Sequence, residues 1–154
     1  MSKFHGFEPV FDGNSRVLIL GSFPSVKSRE VAFYYGNRQN RFWSTLCEAF
    51  GQQPVTTVEE KKHLCLASGV ALWDIVQSCD IRGSMDTDIT DYTLVDLSIV
   101  LDNCKIDKIL CNGAMAYKLT KSVYNGPIPV YKLSSTSPAN VRFNKEEWLK
   151  HLKT

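Results

Sequence analysis

The chain has 154 residues, a formal net charge of +2, and hydrophobic and charged fractions of 44% and 22%, the composition of one ordinary globular domain with a real core. The charge is too small to announce a nucleic-acid binder, the opening Met1-Ser2-Lys3-Phe4-His5 lacks the apolar core of a signal peptide, and no run of about 18 apolar residues offers a membrane span. Five widely spaced cysteines, at 47, 65, 79, 104 and 111, form no C-x-x-C pair, which argues against a metal site or disulfide framework and for reduced thiols in a cytoplasmic or nuclear protein.

In chain order, the pattern predicts strands alternating with helices. The first strand covers 16–21, and a long loop follows to about 39. A helix runs from Asn40 to Phe50, with Phe42, Trp43, Leu46 and Phe50 on one face and Gly51 as its stop. Thr57-x-x-Glu60 is a capping-box signature for a second helix that ends at Gly69. The second strand is 69–73. Residues 75–92 read as irregular, with a polar loop around Gly83, Ser84, Asp86 and Asp88. A helix at 94–102, a strand at 107–111 and a helix at 114–123 follow. Asn125-Gly126-Pro127 marks a turn, and 128–133 is the fourth strand. The last helix has Asn144 as its cap and Glu147 in the capping-box position. Such alternation predicts an α/β three-layer sandwich around a parallel sheet of about four strands.

Each apolar strand stops at a polar cluster. The stops are Gly21-Ser22-Phe23-Pro24-Ser25, Asp74, Asn112-Gly113, and Ser134-Ser135-Thr136-Ser137-Pro138-Ala139-Asn140. In an open parallel sheet ligands bind beyond the carboxyl ends of the strands, so these clusters should share one edge and form a site. The first is neither a dinucleotide fingerprint nor a P-loop, since G-x-G-x-x-G and G-x-x-x-x-G-K-[ST] are both absent.

Between the first two stops lies Tyr34-Tyr35-Gly36-Asn37-Arg38-Gln39-Asn40-Arg41-Phe42-Trp43. Aromatic faces can stack on an unpaired base, amides can read its edge, and arginines suit phosphates. Trp43 has helical spacing with Leu46 and Phe50 and belongs to the core. Asn40 has two compatible roles, helix cap and catalytic group. Hydroxyls and backbone N–H groups in the Ser134–Asn140 loop can bind phosphates without carrying charge.

Taken together these elements resemble the uracil-DNA glycosylase superfamily over nearly the whole chain. Asn40-Arg41-Phe42-Trp43 is similar to the mismatch-specific branch. Ser22-Phe23-Pro24-Ser25 and Leu133-Ser134-Ser135-Thr136-Ser137-Pro138-Ala139-Asn140 look most like the hypoxanthine-DNA glycosylase branch. There are departures. No acidic residue lies between Gly21 and Ser28 to activate water, and Ser135 stands where better-known members carry a histidine. Ala139 is too small for the wedge that replaces a flipped base, leaving Asn140, Val141, Arg142 or Phe143 to fill the gap. His5, His63 and His151 lie far from every motif and read as surface or edge residues.

The resemblance implies a monofunctional DNA glycosylase that hydrolyses the N-glycosidic bond of a deaminated base, with hypoxanthine favoured and uracil second. It would act in base excision repair on DNA containing a damaged base. In this scheme Asn40 is catalytic, and Phe23, Tyr34, Tyr35 and Asn112 bind the base. Ser22, Ser25, Ser135 and Ser137 bind phosphates. No lysine falls in a motif, so a Schiff base is not expected, and neither is a metal, an organic cofactor or a membrane. The protein should be a monomer. Alternatives are a uracil/thymine mismatch glycosylase on the same fold, a catalytically silent nucleic-acid-binding module, and a nucleosidase acting on free inosine.

Overall fold

The computed structural model describes residues 2–23, 33–81 and 89–153, of which 2–5, 79–81 and 89–91 by their backbone alone. Its strands are β1 (Ser2–His5), β2 (Val17–Gly21), β3 (Val70–Asp74), β4 (Val76–Ile81), β5 (Ile89–Leu94), β6 (Lys108–Asn112) and β7 (Val130–Leu133). Its helices are α1 (Phe42–Phe50), α2 (Val58–Ala67), α3 (Ser98–Leu101), α4 (Ala114–Val123) and α5 (Lys145–Leu152).

The central sheet is parallel, with strand order β3-β2-β6-β7. Every residue of β3 is buried, as are Leu18 to Gly21 of β2 and Ile109 to Cys111 of β6. Continuous apolar runs without alternation are what strands covered on both faces require. β3 and β7 are the two edge strands; β3 is buried and bridged by Val10, while β7 exposes Tyr131 and Lys132, and a lysine on an edge discourages pairing with another chain. α2 packs on β3, α4 on β6 and β7, and α1 on α5. This agrees with the predicted α/β architecture.

Residues 75–92 depart from the irregular loop expected. β4 and β5 pair antiparallel, and β1 joins β4 to complete a second, three-stranded sheet. Helical structure in 94–102 is confined to Ser98–Leu101.

Both expected helix caps form. Thr57 Oγ1 accepts from the Glu60 N–H at 3.1 Å, and Glu60 Oε1 accepts from the Thr57 N–H at 3.0 Å. Asn144 Oδ1 accepts from the Glu147 N–H at 3.2 Å. Glu147 does not complete a box there. Its carboxylate instead accepts the Ser134 N–H at 3.3 Å, and the Asn144 N–H goes to Ser134 Oγ at 2.8 Å. With Trp148 Nε1 donating to the Ser134 carbonyl at 2.8 Å, the start of α5 anchors the loop that leaves β7.

Candidate active site

The strand ends meet in register. Gly21 pairs with Asp74, Leu20 with Cys111, and Asn112 with Leu133. Partners in a parallel ladder point to the same face, so Asp74, Gly21, Asn112 and Leu133 form one row along the carboxyl edge. Gly21 is a notch in that row. A β-carbon on it would lie 2.5 Å from Asp74 Oδ1 and 3.0 Å from the Tyr35 hydroxyl. Only glycine permits so close an approach.

Sequence reasoning placed Asp74 among the polar stops that form the site but assigned it no chemical role there. Its position at the carboxyl end of a strand was the available signal. The side chain is 4% exposed, and Oδ2 is buried with no hydrogen-bond partner among the described residues. Burial raises its pKa to about 7, because a low-dielectric surrounding disfavours the charged form. The Tyr35 hydroxyl is likewise buried, and within normal hydrogen-bond geometry it has no partner among the described residues, although the Asn112 amide faces it. Its pKa is raised, first by burial and then by the Asp74 carboxylate, with the facing Asn112 amide partly offsetting the shift. Orphaned buried polar atoms are rare in folded proteins, and two of them beside one glycine mark a place for a ligand's polar edge.

The adjacent tyrosines separate sharply. Tyr35 adopts a left-handed backbone (φ 52), a conformation that costs energy for an aromatic residue, and its ring stacks on Phe42 at 4.2 Å between centroids. Tyr34 turns the other way into the core. It is 1% exposed, its hydroxyl donates to the carbonyls of Glu8 (2.8 Å) and Phe7 (3.3 Å), and its ring meets Phe7 and Phe33 edge-on. The expectation that Tyr34 could stack on a base is therefore corrected, because its ring faces are occupied by protein. Trp43 is core as expected, with Nε1 donating to the Tyr34 carbonyl.

Asn112 holds the last loop. Its Oδ1 accepts the Thr136 N–H and its Nδ2 donates to Thr136 Oγ1, both at 3.0 Å. The next residue, Gly113, has φ 100 and its would-be β-carbon sits 3.5 Å from Ser135 Cβ, so a side chain there would be strained where the chain turns into α4.

Arg41 is the second organiser. Its backbone N–H and its Nε both reach the Thr136 carbonyl, and Nη2 donates to the carbonyls of Ser137 and Asn140, the latter at 2.7 Å. Its guanidinium lies 4.5 Å from the Phe143 ring centroid. Charge-assisted bonds to neutral acceptors are worth about 1.5–3 kcal/mol each. Arg41→Ala should therefore lower stability by about 2–3 kcal/mol and weaken binding to an abasic-site duplex through loss of loop order. Thermal melts and fluorescence anisotropy check both; unchanged binding would mean the loop holds its shape unaided.

Within the loop, Ser135 Oγ accepts from the Ser137 N–H and Ser137 Oγ from the Ala139 N–H, both at 3.2 Å. As donors, neither hydroxyl has an acceptor among the described residues. Asn140 is pinned by Nδ2 to the Ser135 carbonyl (2.9 Å) and by Oδ1 to the Arg142 N–H (3.0 Å). That leaves it unable to act as a wedge without breaking both bonds. Arg142 is exposed beside it, and Val141 is 92% exposed.

The cap expected at Asn40 falls one residue later: Arg41 is the N-cap of α1 and makes no side-chain cap bond, while Asn40 Oδ1 accepts the Phe42 N–H at 2.9 Å. Its Nδ2 makes no hydrogen bond to the described residues. Ser22 and Phe23 are half-buried at the end of β2, where the Ser22 carbonyl accepts the Val76 N–H and Phe23 packs against the core. Ser25 lies outside the described residues. His63 is exposed on α2, and His151 is half-buried with its ring 4.5 Å from that of Tyr131, both away from the strand ends.

Comparison with known proteins places this geometry. The family model of the uracil DNA glycosylase superfamily matches residues 8–153. A hypoxanthine DNA glycosylase of Methanosarcina acetivorans is 34% identical over 148 residues, covering 93% of this chain and 94% of the relative. One from Methanosarcina barkeri is 33% identical over 115 residues, 72% of each chain. The solution NMR structure of a candidate uracil DNA glycosylase from Methanosarcina acetivorans superposes with a TM-score of 0.85 at 31% identity, covering 99% of this chain and 98% of that one. With the carboxyl-edge notch and the Ser/Pro loop in place on this sheet, the chain belongs to the uracil DNA glycosylase superfamily.

Proposed function

We propose that the protein is a monofunctional DNA glycosylase that removes hypoxanthine from DNA by hydrolysing its N-glycosidic bond. The observation that carries this reading is the notch at Gly21, where buried polar groups of Asp74 and Tyr35, facing the Asn112 amide, have no hydrogen-bond partner among the described residues. An edge of a planar base supplies the donors and acceptors these groups lack, and base flipping brings such an edge to a pocket. The two relatives named as hypoxanthine DNA glycosylases support hypoxanthine as the base.

The chemistry follows from what the site contains. The C1′–N bond breaks toward an oxocarbenium-like sugar, which nearby DNA phosphates stabilise, so the protein needs no strong nucleophile. Its work is positioning. Asn40, through its uncommitted Nδ2 and its carbonyl, orients the water or the leaving base. The ring of Phe23 flanks the base, and Tyr35, whose own ring is stacked on Phe42, turns its hydroxyl to the base's edge. The Ser135 and Ser137 hydroxyls, and Ser22 at the end of β2, donate to phosphates. Val141, the most exposed large apolar side chain among the described residues, enters the space the flipped nucleotide leaves; neighbouring Arg142 is better suited to a phosphate. The enzyme acts as a monomer inside the cell, without a metal or organic cofactor.

The test uses end-labelled oligonucleotides carrying hypoxanthine, uracil or xanthine, single-stranded and paired, treated with enzyme and then alkali. The reading expects alkali-dependent cleavage at hypoxanthine first. A mobility shift with no abasic product would instead favour a binding module, and preference for uracil or thymine mismatches would favour the neighbouring activity on the same fold.

A further inference from the structure

Among the described residues, Asp74 is the one carboxylate at the notch. Among the described residues it has no lysine, arginine or histidine partner, since the ion pairs described are Arg16–Asp107 and Lys145–Glu48. Charges buried without a counter-ion are costly, and a carboxyl group escapes the cost by keeping its proton. A protonated carboxyl carries one donor and one acceptor side by side, whereas the ionised form only accepts. A lactam, a ring N–H next to a ring C=O, presents the matching pair. Hypoxanthine and uracil both have one.

We propose that Asp74 reads the base as a neutral carboxylic acid, its O–H donating to the ring carbonyl oxygen and its C=O accepting the adjacent ring N–H, with the Tyr35 hydroxyl closing the same edge. This deepens the glycosylase reading and rests on it. Ionisation would set a negative oxygen against the lone pairs of the base carbonyl and break the match.

Among the described residues, the other titratable groups around the notch stay neutral over the working range. Tyr34 and Tyr35, from the segment before α1, are raised well above their ordinary values, mainly by burial and then by Asp74 itself. Behind Tyr35 lie Cys111 of β6, raised to about 11, and Cys65 of α2, raised to about 12, each mainly by burial. Glu8 acts on Tyr34 rather than on Asp74. Among these described groups, Asp74, at about 7, is the one left to titrate near neutrality.

The experiment is single-turnover release of hypoxanthine from an oligonucleotide between about pH 6 and about pH 8, below ionisation of the ring N–H. Wild type should slow about tenfold across that range, the fall expected when an essential proton with a pKa near 7 is lost. Asp74→Asn keeps a donor and an acceptor and cannot ionise, so it should retain at least about a tenth of the wild-type rate and show a flat profile. Asp74→Ala should be slower by on the order of 10²-fold throughout, as for loss of a positioned hydrogen-bonding group. An inactive but folded Asp74→Asn would overturn the proposal in favour of a carboxylate base. A flat wild-type profile, or one Asp74→Asn shares, would overturn it while leaving the glycosylase reading intact; no release at any pH would remove both. If neither variant folds, carbon-13 titration of the Asp74 carboxyl in wild type decides. Its midpoint should rise when an abasic-site duplex and free hypoxanthine are added, and an unmoved midpoint would contradict the role.

Discussion

Asn40→Ala should lower the single-turnover rate of hypoxanthine release by on the order of 10²-fold or more, the scale of losing one positioned hydrogen-bonding group. An amide is no general base at neutral pH, so its contribution is orientation of water or base. The same substitution also removes the acceptor for the Phe42 N–H at the start of α1, which costs about 1 kcal/mol. The two roles separate in Asn40→Ser. A serine oxygen can still cap the helix, so the melting temperature should stay near wild type, yet the rate should fall with the lost amide. Asn40→Asp keeps the cap and part of the activity, and adds a pH dependence in the carboxylate range. Binding to abasic-site DNA should change little in all three. If Asn40→Ala melts earlier but cleaves at the wild-type rate, Asn40 is a cap alone and catalysis lies elsewhere along the strand ends.

Gly21→Ala should be nearly as damaging, though Gly21 itself carries no chemistry. The added methyl would stand 2.5 Å from Asp74 Oδ1 and 3.0 Å from the Tyr35 hydroxyl. Neither neighbour can retreat easily, because Asp74 is buried against the core and Tyr35 is stacked on Phe42. Overpacking of this kind costs about 1–3 kcal/mol. Cleavage should fall on the order of 10²-fold at temperatures where the variant is folded, because the methyl occupies the notch and turns the carboxyl away. A folded Gly21→Ala that retained its rate would show that the base is read elsewhere.

Burial of Asp74 also predicts a signature in stability. Its folded-state pKa, about 7, lies above the ordinary value of 3.8. The favourable contribution of the protonated form is therefore complete below about pH 4 and is lost as pH rises through about 7. Asp74→Asn should melt higher than wild type at pH 8, with the advantage vanishing toward pH 4. Melting curves at the two pH values check the sign.

Much of this was legible because it is local. The four parallel strands were predicted at 16–21, 69–73, 107–111 and 128–133, and are observed at Val17–Gly21, Val70–Asp74, Lys108–Asn112 and Val130–Leu133. Uninterrupted apolar runs that end in polar clusters leave few other readings. The β4–β5 hairpin was missed because Val76-Gln77-Ser78-Cys79-Asp80-Ile81 is too polar to announce a strand, and its stability comes from pairing with β1 at the other end of the chain. Tyr34 and Tyr35 could not be told apart in sequence, since the left-handed turn at Tyr35 is what sends one ring to the core and the other over the notch. Arg41 read as a phosphate ligand because its acceptors, the carbonyls of Thr136, Ser137 and Asn140, are brought to it only by folding. Asp74 is the clearest case. It was placed at the strand ends with the other stops, but what gives it a chemical role is its burial beside Gly21 and Tyr35, and burial is a property of the assembled sheet edge.

The most direct measurement quantifies three products from one reaction of excess wild-type enzyme with a hypoxanthine-containing duplex: free base, alkali-labile sites and strand breaks before alkali. The account predicts free hypoxanthine equal to the alkali-labile sites, with no break until alkali is added. Breaks that precede alkali, or alkali-labile sites without released base, would contradict it.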